Sequence, residues 1–112
     1  MTKLVHALPE FVSDMEIALV HLGRGDLVEQ LKEVILERWT YDDFTDAAYL
    51  YLRSPSALNP PAKRVIDVMH ADRLSLYDEL GVNLDADDHG QLCGIEILDG
   101  TRITSQLRDA AV

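Results

Sequence analysis

The chain is poor in several things at once. It holds a single cysteine, Cys93, in 112 residues. No intrachain disulfide can form, and a lone thiol suits a reducing compartment. Its four histidines, His6, His21, His70 and His89, stand at no metal-ligand spacing from one another or from Cys93, so a zinc site has no support. Basic residues are scarce, with 10 Lys and Arg against 20 Asp and Glu for a net charge of −10. Phosphate backbones and anionic lipid surfaces repel such a chain, which argues against nucleic-acid and membrane partners. No apolar run approaches the roughly 20 residues a membrane helix needs. The opening MTKLVHALPEF is too short an apolar patch for a signal peptide, so a cytoplasmic location is expected. Nucleophile elbows of the G-x-S-x-G type, phosphate loops and G-x-G-x-x-G turns are missing, and with them the common signatures of covalent hydrolysis and nucleotide binding. No cofactor and no catalytic residue is assigned.

What remains reads as one α+β domain over 1–112: a helical hairpin (1–39) packed on a small antiparallel sheet of about four strands (40–100), then a short helix or flexible tail (101–112). From Pro9 to Leu22 the apolar residues Phe11, Met15, Ala18, Leu19 and Leu22 recur at helical steps, with Pro9 suited to a first turn. Gly23 or Gly25 ends that helix. Asp26 as N-cap and Glu29 three residues on make a capping box for a second helix, whose face runs Leu27, Leu31, Val34, Ile35 and Arg38. Asp46 to Leu52 reads as a strand, with Ala48, Leu50 and Leu52 on one face and Ala47, Tyr49 and Tyr51 on the other. Arg53–Lys63, with three of the four prolines, is a loop. Arg64–His70 reads as a strand, with a helix as its competitor. Arg73–Asp85 alternates, interrupted by a bulge or bend at Leu80-Gly81. Leu92–Leu98 is a further strand that places Cys93, Ile95 and Ile97 on one face and Leu92, Glu96 and Leu98 on the other. The tail is a helix capped by Ser105, or it frays.

Two blocks carry a family resemblance. The first is Y-D-x-x-x-D-A-x-Y-L-x-L at Tyr41, Asp42, Asp46, Ala47, Tyr49, Leu50 and Leu52. The second is G-V-N-L-D-x-D-x-x-G-x-L-x-G-I-E-I-L from Gly81 to Leu98. Together, over Tyr41 to Leu98, they resemble the bacterial family known as domain of unknown function 2283. The resemblance implies a small antiparallel sheet and implies no activity. The helices before Tyr41 and the long segment between the blocks lie outside its pattern.

The stretch D-A-D-D-H-G-Q-L-C-G-I-E, Asp85 to Glu96, also matches part of a calcium loop. Asp85, Asp87, Gly90 and Glu96 fall in register, which makes Asp85, Asp87 and Glu96 the metal candidates. His89 at the fifth position offers nitrogen where calcium wants oxygen, and the flanks read as strands where an EF-hand needs helices. A hairpin tip at Asp87-Asp88-His89-Gly90 explains the same residues, so calcium is not the expected partner. Cys93 reads as a small apolar strand residue. The expected role is that of a non-enzymatic interaction module, immunity- or antitoxin-like in its charge and size, binding a protein partner or itself as a homodimer. Trp39, Tyr41, Tyr49, Tyr51 and Glu96 are its contact candidates, with Arg38 or Arg64 as a possible ion-pair partner for Glu96. The alternatives are a divalent-cation or small-ligand binder using the acidic loops Asp42–Asp46 and Asp85–Asp88, and an enzyme pairing Glu96 with Asp42 or Asp46.

Overall fold

In the computed structural model, residues 2–55 and 72–110 are described; the expectation for Arg64–His70 falls outside them. A two-residue strand β1 (Thr2–Lys3) leads into three helical segments, α1 (Leu4–Ala7), α2 (Pro9–His21) and α3 (Gly25–Glu33). Then come β2 (Ile35–Asp42), β3 (Ala47–Arg53), β4 (Asp72–Leu76), the single turn α4 (Tyr77–Leu80), β5 (Val82–Ala86), β6 (Leu92–Ile97) and α5 (Thr101–Ala110). All paired strands are antiparallel and form one sheet of six in the order β1-β2-β3-β6-β5-β4. The fold is therefore α+β, with a larger sheet than the four strands expected and three helical segments in place of a two-helix hairpin. No helix among the described residues is long and apolar enough to cross a membrane.

The helices and α5 share one face of the sheet. Leu4, Leu8, Met15, Leu19 and Leu31 from the helices bury against Leu50, Leu84, Ile95 and Ile97 from the strands, with Leu107 of α5. Burying each such side chain contributes about 1.5–3 kcal/mol. The alternation of β3 is as its sequence indicates: Ala48, Leu50 and Leu52 are buried, and the residues between them are half-exposed.

The second helix is shorter than its periodicity suggests. Its last bond, Val34 N–H to the Gln30 carbonyl at 2.9 Å, is followed by extended backbone at Val34. Ile35 and Arg38 belong to β2, not to a helical face. Val34 and Ile35 fit a helical stripe by spacing, yet they are β-branched and open a strand. The strand signal is hidden because Leu36 pairs with Leu52 and Arg38 with Tyr51, leaving Glu37 as an extra residue. That bulge shifts the two-residue alternation within β2. Asp26 is not the N-cap either. It lies in the first turn of α3 and takes two hydrogen bonds from Arg24, at 3.2 and 3.3 Å. The bend at Leu80-Gly81 is a full helical turn closed by Gly81 in the left-handed region.

α5 starts at Thr101, ahead of the expected cap at Ser105, and its cap comes from elsewhere in the chain. Asp46, in the β2–β3 turn, accepts from the Thr101 N–H at 3.1 Å and from the Thr101 hydroxyl, while its other close donor is the Tyr41 hydroxyl at 2.7 Å. The Asp46 main-chain oxygen takes the Gly100 N–H at 2.8 Å. A carboxylate at the positive end of a helix is well placed. Asp46 also holds φ at +54°, a conformation that Asp and Asn tolerate better than most residues. The hydrogen bonds from Thr101, and then Tyr41, hold its pKa below the ordinary 3.8. A group with a depressed folded pKa stabilises the fold above its unfolded value and loses that contribution as the pH falls through the folded one. Asp46→Asn keeps the backbone preference and removes the charge. Its urea midpoint is expected to fall below that of the parent at neutral pH, with the gap closing as the solution is acidified below pH 3.8. A gap that persists unchanged at low pH would refute the cap.

Candidate functional site

The face of the sheet turned away from the helices carries no described helix. Strand parity sorts its side chains into two rows that cross the sheet. One row runs Thr40, Tyr49, Glu96, Asn83, Ser75; the next runs Arg38, Tyr51, Gly94, Asp85, Arg73. These positions alternate with the core residues along each strand, as the period of two requires.

The chemistry of this face gathers on Asp85, which is fully buried. Arg73 grips it with a fork: Nε donates to Oδ1 at 2.7 Å and Nη2 to Oδ2 at 3.0 Å. The Tyr49 hydroxyl donates to Oδ2 at 2.6 Å. Tyr49 reaches it from β3 across β6, and it passes over Gly94. A Cβ built on Gly94 would sit 2.1 Å from the Tyr49 hydroxyl oxygen and 2.6 Å from the ring. Glycine at this position is what lets the phenol lie flat against the strand and meet the carboxylate. The third donor of Arg73, Nη1, points to Glu96 Oε1 at 3.3 Å, and Asn83 Nδ2 donates to the same oxygen at 2.9 Å. One guanidinium thus bridges two carboxylates on neighbouring strands and offsets the charge of one of them. Beside them, the Arg38 guanidinium lies 3.8 Å over the Tyr51 ring, and the rings of Tyr51 and Tyr49 meet at 4.9 Å.

Burial, followed by the hydrogen bond to Asp85, pushes the Tyr49 phenol well above its ordinary pKa. The hydrogen bonds to Asp85 raise that of Arg73. Both stay protonated at any physiological pH, so this network holds protons in place and does not pass them on. Cys93 is half-exposed and donates from Sγ to the Asp85 carbonyl at 3.4 Å. Burial pushes its thiol up to about 11, which makes it a poor nucleophile.

The residues singled out from the sequence separate. Tyr49, Tyr51 and Glu96 share the open face. Trp39 and Tyr41 lie on the opposite side of β2 and pack against the core. Of the calcium-loop residues, Asp87 shapes the hairpin: its Oδ1 accepts from the N–H groups of His89 and Gln91, both at 2.9 Å, and Gly90 follows at φ +78°. Asp85 and Glu96 are held by Arg73. Among the described residues, no three of the His, Cys, Asp and Glu side chains come together as a metal-ligand set. Asp46 is engaged as the helix cap. Asp42 accepts from the Phe44 N–H at 2.9 Å and lines, with Glu96, Tyr49, Thr40 and Thr45, a depression of about 320 Å³. The expected facing of β6 is corrected at its start. Ala86 pairs with Leu92 and Asp85 with Gly94, so Cys93 is a bulge residue and Leu92 joins Ile95 and Ile97 in the core.

Arg73, Asn83 and Gln30 are functional neighbours that the sequence reading misses. Among the described residues Arg73 and Asn83 hold Glu96, in the place expected for Arg38; the other expected partner, Arg64, lies outside the described residues. Gln30 of α3 ties the β5–β6 hairpin down, donating to the Gly90 carbonyl at 3.0 Å and accepting from the Leu92 N–H at 2.6 Å. A signal for the first two exists in the sequence. Arg73 and Ser75, Asn83 and Asp85, and Gly94 and Glu96 each stand two apart, hence on one face of their strand.

Gly94→Ala is expected to destabilise the fold by about 1–3 kcal/mol through overpacking against Tyr49. The same change made in a Tyr49→Ala background costs less, and equal costs in the two backgrounds would disprove the close approach. Arg73→Met removes the fork that holds a buried carboxylate and is expected to cost about 3 kcal/mol in chemical denaturation. A loss within the range of an ordinary surface substitution, below about 0.5 kcal/mol, would show that Asp85 is compensated without it.

Comparison with curated proteins and with solved structures returns no match. The family described as "Protein of unknown function (DUF2283)" matches residues 38–99. That span begins after the helices and takes in the free part of β2, the capping turn at Asp46 and the whole Tyr49–Asp85–Arg73 network. It covers more than half of the chain, and the chain belongs to the DUF2283 family.

Proposed function

We propose that this protein is a non-enzymatic binding module that meets another protein chain on the side of the sheet its helices leave open. The observation that carries this reading is the state of the open face. Its tyrosines and arginines are fixed in position by one another, and its two central carboxylates are held by the Arg73 guanidinium. Tyrosine and arginine are residues that protein interfaces favour, and here their positions are already fixed before a partner arrives. An acid–base enzyme requires a group that exchanges a proton near a bound substrate. Tyr49 and Arg73 are shifted away from such exchange.

A photoreactive benzoylphenylalanine placed at Tyr51 and, as a control, at Glu10 on α2 tests the reading in living cells. A recurrent protein adduct at position 51, with none at position 10, is expected. Irradiation that gives no adduct at position 51 rules out the open face as a contact surface.

A second reading rests on the depression beside Asp42 and Glu96, which offers two carboxylates and two hydroxyls to a divalent cation. Calorimetric titration with calcium and manganese tests it, and the absence of both heat and a shift in melting temperature excludes it.

A further inference from the structure

β2 is paired along one edge and, among the described residues, along only part of the other. Its inner edge pairs with β3 along its length. Among the described residues its outer edge is covered at one end, where Thr2 meets Leu36 and Lys3 meets Ile35. From Arg38 to Asp42, no described strand lies beside it. Sheet edges in natural proteins are usually blunted by proline, by a bulge or by an inward-facing lysine, because a free edge recruits another strand. The bulge here falls at Glu37, before the free segment begins. The segment itself, Arg38-Trp39-Thr40-Tyr41-Asp42, contains no proline or glycine and is rich in strand formers.

Its sequence is complementary to itself when one copy is reversed. A two-fold axis perpendicular to the sheet makes two such strands antiparallel and keeps the open faces on the same side, so only residues of like parity meet. Centred on Thr40, Thr40 faces its own copy, Arg38 faces Asp42 of the partner subunit, and Trp39 faces Tyr41 of the partner subunit. Both ends of the pairing oppose a cation to a carboxylate, and the centre opposes two β-branched residues. Both charges are available. Arg38 stacks on Tyr51 and makes no ion pair among the described residues, and Asp42 accepts only a backbone N–H there. Shifting the centre to Trp39 would bring Asp42 against Leu36, whose outer edge Thr2 already occupies. Shifting it to Tyr41 sets Asp42 opposite Thr40 and Arg38 opposite Phe44, with no charge pair. Thr40 is the register that the residues select.

We propose that two copies of this chain join edge to edge through β2, antiparallel and centred on Thr40, so that their two sheets become one. This rests on the protein-binding reading above and names a second copy as the partner. The contact is isologous, as two-fold dimers require, and it places the Tyr51 rings and Arg38 side chains of the two copies along one continuous open face.

The test uses the whole chain and charge reversal. In sedimentation velocity across a concentration series, the wild type is expected to be a dimer. Arg38→Asp opposes two pairs of carboxylates and Asp42→Arg opposes two pairs of cations; each weakens the dimer by about tenfold or more. An equimolar mixture of the two variants is expected to dimerise again. In the mixed pair the carboxylate introduced at position 38 of one copy meets the guanidinium introduced at position 42 of the other, and the native Arg38 and Asp42 that remain meet at the opposite end. Recovery on mixing cannot come from misfolded chains, so it separates pairing from stability. A monomeric wild type, a dimer indifferent to both reversals, or variants that stay apart when mixed would each overturn edge pairing. A monomeric wild type that still forms an adduct with a different protein at position 51 overturns the edge pairing alone. A monomer with no adduct there overturns the binding reading as well.

Discussion

A carboxylate with no exposed surface governs the arrangement of this sheet. Asp85 is buried on the side away from the helices, where an isolated charge is far costlier than a hydrophobic side chain of its size. Three constraints follow. Arg73 must lie directly opposite on β4 to supply the fork. Tyr49 must reach across from β3, and β6 must offer it a residue without a side chain, which is Gly94. Four strands are held in mutual register by one polar cluster. A slip of one residue in β5 would turn Asp85 toward Leu4, Met15 and Ile95, where no cation waits. Buried ion pairs contribute little net stability against apolar substitutes, but they penalise wrong registers heavily. The helix-side core, made largely of leucine and isoleucine, discriminates registers less sharply.

Two further polar side chains fasten the sheet to its helices at points where backbone groups would otherwise lack partners. Asp46 closes the β2–β3 turn and caps α5, a helix fifty-five residues further along the chain. Gln30 on α3 serves both a carbonyl and an N–H of the β5–β6 hairpin. Each satisfies main-chain groups at an element's end, where such groups are orphaned. The motif Y-D-x-x-x-D-A acquires a physical reading from this. Tyr41 and Asp46 hold one another and Thr101, and Asp42 turns the chain by accepting from Phe44.

The legible parts of the fold are those where one local rule acts alone. The alternation of β3, the proline at the start of α2 and the Asp87–Gly90 hairpin are of this kind. Legibility fails where two rules overlap. Val34, Ile35 and Arg38 satisfy a helical spacing while the bulge at Glu37 breaks the strand spacing, so the start of β2 reads as helix. The bulge at Cys93 exchanges Cys93 and Leu92 between faces for the same reason. The candidate site is half legible. Glu96, Tyr49 and Tyr51 stand out as polar or aromatic residues among apolar neighbours. Asp85 draws notice through a calcium-loop pattern, which weighs residues by their spacing along the chain. The actual partners, Arg73 and Tyr49, lie 12 and 36 residues away and become neighbours only when the sheet forms. The N-cap of α5 is beyond local reading altogether, since its oxygen comes from another turn.

The same parity that buries Asp85 determines what the molecule has to offer. Every second residue of β3, β5 and β6 is committed to the core, so the open face inherits whatever stands between. What stands there is a mixture of aromatic, polar and charged residues, with Arg38 and Arg73 among Asp42, Asp85 and Glu96, on a chain whose net charge is −10. The length of β2 that no described strand covers adjoins that face, with Arg38, Thr40 and Asp42 belonging to both. A chain arriving at the edge extends the two rows of side chains as well as the hydrogen-bond ladder. Edge and face therefore share Arg38 and Thr40, each of which stands directly opposite a tyrosine of β3.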